Sequence, residues 1–173
     1  MESHCKLDNI KTLKDYITGT VLGDDPNERV RQKIFRFLVE EKGFDRKDLK
    51  PRQILKFPFR KGLSIIDLSV FVNESCVMIV RYGLSSIVTR HRSALSAARI
   101  YSKKHLPYVV VTNGENADIL DGKSGKVLSS GLNSIPSKAK LKNKLKLIPD
   151  SFPFVSKEQI DMEYKILYSF DVL

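Results

Sequence analysis

Two apolar runs meet in the middle of the chain, Leu63–Val72 and residues 76–82, with Asn73-Glu74-Ser75 between them. Both have strand length and are rich in β-branched residues, so they predict a hairpin. A two-residue loop of Asn73 and Glu74 places Asp67 opposite Val80, and a three-residue loop places it opposite Arg81. Residues 53–57 predict a further strand, ended by Pro58. Residues 108–112 are a continuous apolar run of the buried type. Asn113-Gly114 then predicts a turn, residues 117–121 another strand, and Gly122-Lys123-Ser124-Gly125 a turn into Val127-Leu128.

Other segments carry the helical period. Residues 8–18 predict a short helix, with Ile10, Leu13, Tyr16 and Ile17 on one side. Asp25-Pro26-Asn27-Glu28 predicts a helix start: Asp25 caps, Pro26 suits the first turn, and Glu28 reaches back in a capping box. That helix runs to Lys42, with Val30, Ile34, Phe37 and Leu38 inward and Gly43 as its stop. Residues 88–105 predict a helix with two stripes. One holds Val88, His91, Leu95 and Ala98, the other Arg92, Ser96, Arg99 and Lys103. Residues 138–146 form a lysine-rich helical segment, and Ser156 with Gln159 predicts the cap of a final helix striped by Ile160, Tyr164, Leu167 and Val172. The order of elements predicts an α/β fold with a mixed β-sheet flanked by helices and a C-terminal helical extension. Residues 1–136 are read as the main domain, and residues 137–173 as a lysine-rich segment and helix packed on it.

Composition narrows the classes. The 173 residues suit one domain, and no apolar stretch approaches the length of a membrane span. The N-terminus lacks the apolar core of a signal peptide, so a cytoplasmic protein with no membrane partner is expected. Two cysteines, Cys5 and Cys76, and three scattered histidines exclude a disulfide framework and a zinc cluster. Net charge is +10, and acids are missing from Ser75 to Gly114 and from Gly122 to Pro149. Such a field favours a polyanionic partner, DNA above all. Phosphate contacts are expected from Arg81, Arg90, Arg92, Arg99, Lys103, Lys140, Lys142 and Lys144.

Asp67 stands out chemically. It is the only acid between Leu49 and Asn73, and it lies inside a strand-like run where a carboxylate is costly to bury alone. The neighbouring run offers Arg81 rather than a second acid. A divalent-metal nuclease centre needs a few carboxylates plus substrate phosphates. Glu28, at the start of the first long helix, is the candidate second ligand.

Three pieces resemble the N-terminal domain of the type I restriction enzyme R subunit, a branch of the PD-(D/E)xK nuclease superfamily. They are residues 25–44, the Ile66-Asp67-Leu68-Ser69-Val70 strand, and residues 107–114 with 117–121. The resemblance covers roughly residues 20–136 and implies a restriction-endonuclease-like fold. It implies that Asp67 is the metal-binding aspartate and Glu28 the helix-borne glutamate. The Glu-x-Lys motif falls on Val80-Arg81-Tyr82, which lacks both functional residues. Of the Gln-x-x-x-Tyr motif on the next helix, only Tyr101 remains.

Three expectations follow. In the first, the chain is a DNA-binding domain with a degenerate metal site and no cofactor, accessory or regulatory in DNA restriction or repair. In the second, it is an active Mg²⁺-dependent DNA endonuclease with Asp67 and Glu28 as ligands and catalytic residues, and with Arg81 and Tyr82 where the catalytic lysine would work. In the third, Tyr164, Leu167, Tyr168 and Phe170 make the C-terminal helix an interaction module that pairs two chains in a homodimer.

Overall fold

The computed structural model describes residues 11–84, 86–147 and 152–170. Its centre is a six-stranded mixed sheet, with β3 (Leu49–Lys56), β4 (Leu63–Val72), β5 (Ser75–Tyr82), β6 (Tyr108–Thr112), β7 (Ala117–Leu120) and β8 (Val127–Ser130) side by side in chain order. All neighbours are antiparallel except β5 and β6, which run parallel. A parallel pair needs a crossover, and α2 (His91–Ser102) supplies it. Separate from this sheet, β1 (Thr12–Lys14) and β2 (Val21–Gly23) form a small hairpin.

Each face of the sheet has its own core. On one face, Ile34, Phe35 and Leu38 of α1 (Pro26–Glu40) pack on Leu68, Val70, Val72, Val80 and Val110. Leu141 of α3 (Lys138–Leu147) joins them. On the other face, Ala94, Leu95 and Ala98 of α2 pack on Ile79, Val109 and Val111, with Leu167 of α4 (Lys157–Phe170).

Local chemistry sets the element ends. The Asp25 carboxylate accepts the Glu28 N–H at 3.0 Å and caps α1. At the other end, Gly43 takes φ +72°, and the Phe44 N–H reaches the Leu38 carbonyl in a six-to-one closure. Asn73 and Glu74 both have positive φ and make the two-residue hairpin loop. An extra residue, Val77, then bulges from β5 and shifts the register by one. Leu68 therefore faces Val80, and the next step sets Arg81 across from Asp67.

One expectation fails in the described part of residues 8–18. From Lys11 onward the chain enters the β1–β2 hairpin instead of a helix. Tertiary bonding outweighs helical spacing there: Gln32 Oε1 accepts the Tyr16 N–H at 2.6 Å, and the Asp15 carboxylate gathers the Ile17 and Thr18 N–H groups. The 3-10 turn Val88–Arg90 precedes α2, which ends at Ser102 with Lys103 in the left-handed region. The Gly122-Lys123-Ser124 turn joins β7 to β8. Ser156 caps α4 through the Gln159 N–H at 3.2 Å, while Val172 lies outside the described residues. No helix among the described residues is long and apolar enough to cross a membrane.

Candidate functional site: a carboxylate cluster filled by arginines

Asp67 is buried at 6 % exposure, yet both its oxygens are engaged. Oδ1 accepts the Arg31 Nε–H at 2.7 Å, and Oδ2 accepts the Tyr82 backbone N–H at 2.8 Å. Arg81 Nε stands 3.7 Å from Oδ2, an ion pair rather than a hydrogen bond. The expected neighbour is therefore present, but Arg31 is the closer partner.

Strand geometry brings Asp67 to α1. Ile66 packs in the α2-side core, whereas Leu68, Val70 and Val72 pack in the α1-side core. Residues two apart normally share a face, so β4 turns over at Asp67. Its partner turns over with it, since Leu49 lies on the α1 side and Leu55 and Phe57 on the α2 side. The register is the same before and after, with Pro51 opposite Leu68 and Gln53 opposite Ile66. Arg52, between them, takes φ +53°. That left-handed backbone is strained in a side-chain-bearing residue, and the ion pairs of Arg52 offset it.

Arg52 extends the cluster. Its Nη1 donates to Asp15 Oδ2 at 2.7 Å, and its Nη2 donates to Glu28 Oε1. Gln32 Nε2 donates to Glu28 at 2.7 Å and to Asp15 at 3.1 Å. Arg31 Nη1 lies 3.5 Å from Glu28 Oε2. Glu28 thus turns inward to these partners; the cap of α1 rests on Asp25. Burial pushes the Asp15 carboxyl up, but the Thr18 N–H, Arg52 and Gln32 outweigh it and hold the group at about 2. The Tyr82 ring is buried beneath the Arg31 guanidinium at 5.5 Å, and burial pushes its phenol up.

Three carboxylates, Asp15, Glu28 and Asp67, therefore meet three guanidiniums, Arg31, Arg52 and Arg81. This donor set does not fit a divalent cation. Arg31 reaches both candidate ligands, and among the described residues no group of three acid, histidine or cysteine side chains is placed to hold a metal ion. Tyr101 is turned elsewhere, with its hydroxyl 3.2 Å from Ser69 Oγ.

The expected phosphate contacts divide. Arg99 is buried and committed: its Nη1 donates to Glu163 at 2.6 Å, and its other nitrogens donate to the carbonyls of Gly122 and Lys123. Arg92 pairs with the same Glu163 at 3.2 Å, and Ser96 donates to it at 2.6 Å. Arg81 is buried beside Asp67. The Arg90 side chain lies over Gly83, where a Cβ would clash with its Nε. Lys144 covers the Tyr108 ring at 4.3 Å, while Lys103, Lys140 and Lys142 are exposed. The stripe of Arg92, Ser96 and Arg99 is thus the seat of α4.

Asp15, Arg31, Gln32, Arg52 and Glu163 were not among the sequence candidates. Arg31 and Gln32 carried a faint signal, lying three and four residues beyond Glu28 and so on its helix face. Glu163 also carried one, as an acid within the apolar stripe of Ile160, Tyr164 and Leu167. Asp15 and Arg52 had none, because a backbone reversal and a hairpin bring them in.

Fold and cluster together define a mixed α/β domain whose acids are matched by cations from the sheet and first helix. The family described as type I restriction enzyme R protein N terminus matches residues 26–136, and the chain belongs to it. The family relates the chain to type I restriction systems. No curated protein and no solved structure matches the chain.

Proposed function

We propose that this chain is a nuclease-like domain of PD-(D/E)xK descent that binds DNA within a restriction system without cutting it. The observation that carries this reading is Arg31, which bridges Glu28 and Asp67 where a metal ion would need both. A guanidinium there neutralises the carboxylates and opposes a second cation. Val80 and Tyr82 stand at the two functional positions of Glu-x-Lys, so neither a further ligand nor a catalytic lysine is supplied. DNA affinity comes from the charge of +10 through exposed cations, among them Lys103, Lys140 and Lys142.

The test is a plasmid-nicking assay with Mg²⁺ or Mn²⁺ on the wild type and Asp67→Ala, beside DNA binding at low salt. The expected result is salt-sensitive binding, no metal-dependent cleavage, and a melting temperature unmoved by either metal. Metal-dependent nicking that Asp67→Ala abolishes would establish the active endonuclease instead. Absence of DNA binding at about 50 mM salt would remove the binding role.

A further inference from the structure

Behind the Asp15 loop lies a second basic feature that the ion-pair cluster does not use. Arg36 of α1 and Arg46, in the 3-10 turn before β3, converge on the Tyr16 ring, with guanidinium carbons 5.0 and 4.3 Å from its centroid. Lys14 runs along the Gly19 turn to the same place, its Cε 3.5 Å from where a Gly19 Cβ would stand. These side chains line a cavity of about 450 Å³. Among the described residues, no carboxylate lies within ion-pairing distance of Lys14, Arg36 or Arg46. Asp15, which also lines the cavity, is already matched by Arg52. Glu40 is the other acid at the ring, and it accepts the Tyr16 hydroxyl at 3.0 Å.

Like charges gathered on one ring repel each other and favour an anion between them. Planar guanidiniums match the oxygens of a phosphate, and the ring holds them at low entropic cost. A second cavity of about 690 Å³ shares Lys14 and Arg36 and adds Lys33, but Glu40 and Glu41 also line it, so the excess of positive charge is concentrated at the Tyr16 end. Its Arg29 is matched by Asp24.

We infer that Lys14, Arg36 and Arg46 around Tyr16 form a phosphate-binding pocket that seats a backbone phosphate of DNA. This rests on the DNA-binding reading and gives it a location. Phosphate contacts of this kind position a duplex and are indifferent to its sequence.

The experiment is fluorescence anisotropy of a labelled duplex across a salt series, with wild type, the double variant Arg36→Gln/Arg46→Gln, and a control of equal charge change, Lys123→Gln/Lys126→Gln, on the exposed β7–β8 turn. Urea denaturation confirms that each variant is folded. The pocket predicts that the double variant binds roughly tenfold more weakly than the control and that its salt slope falls by about two. A double variant that matches the control, with wild type binding, overturns the pocket and leaves the DNA-binding reading intact. Failure of the wild type to bind at about 50 mM salt overturns both.

Discussion

Arg31 and Asp67, 36 residues apart in sequence, are joined by a 2.7 Å hydrogen bond from Nε–H to Oδ1. The first helix thereby supplies to the central sheet the positive charge that balances a buried carboxylate. Desolvating both groups is costly, and the pairing recovers most of that cost only while both are present.

The pairing gives a double-mutant cycle its sign. Arg31→Met leaves the buried Asp67 with the Tyr82 N–H and the longer Arg81 ion pair, and should destabilise by about 1–3 kcal/mol. Asp67→Leu leaves Arg31 with Glu28 and should cost a similar amount. The double variant should cost clearly less than the sum, by about 1 kcal/mol or more in urea denaturation. Strict additivity would mean that the two groups do not depend on each other.

Much of the sheet was legible because its cues are local. The β4–β5 hairpin follows from two β-branched runs around a short loop, and α1 from Asp25-Pro26 at one end and Gly43 at the other. Asp67 was legible for the same reason, as an acid in an apolar run. What crosses it was legible only as a choice between Val80 and Arg81. The loop is the two-residue kind, which alone puts Val80 opposite Asp67, but the Val77 bulge restores Arg81 to that place. A bulge leaves no mark in composition, because an extra valine reads as more strand. The basic stripe of α2 misled for a different reason. An i, i+4, i+7 row of Arg and Ser reads the same whether it faces solvent or a buried Glu163 from a helix more than sixty residues later.

Arg52 allows a test of the strand reversal. Arg52→Ala and Arg52→Gly both remove the ion pairs to Asp15 and Glu28. In an ordinary strand the alanine variant would be the more stable. At φ +53° a Cβ is penalised, so the glycine variant should be the more stable of the two, by about 1 kcal/mol in chemical denaturation. The reverse order would mean that the backbone at Arg52 is not left-handed in solution.

Acid should loosen the protein through two carboxyls on opposite faces of the sheet. Asp15 is held at about 2, and Glu163 is held below the usual carboxylate range: burial pushes it up, but Ser96 and Arg99 outweigh that. A carboxyl whose folded pKa is depressed stabilises fully above its unfolded value, about 4 for both, and loses that contribution as pH falls through the folded one. Urea midpoints should therefore be flat from pH 7 to about 5 and fall between about 4 and 2. Glu163→Gln keeps a hydrogen-bonding side chain beside Ser96 but leaves the buried Arg99 without its counter-charge. It should be less stable at pH 7 and lose less on acidification, while Asp15→Asn should act the same way and independently, since the two networks share no partner. A wild type as stable at pH 2.5 as at pH 6 would contradict the charged state of both carboxyls. Stability changes that fail to add in the double variant would contradict the separation of the two networks by the sheet.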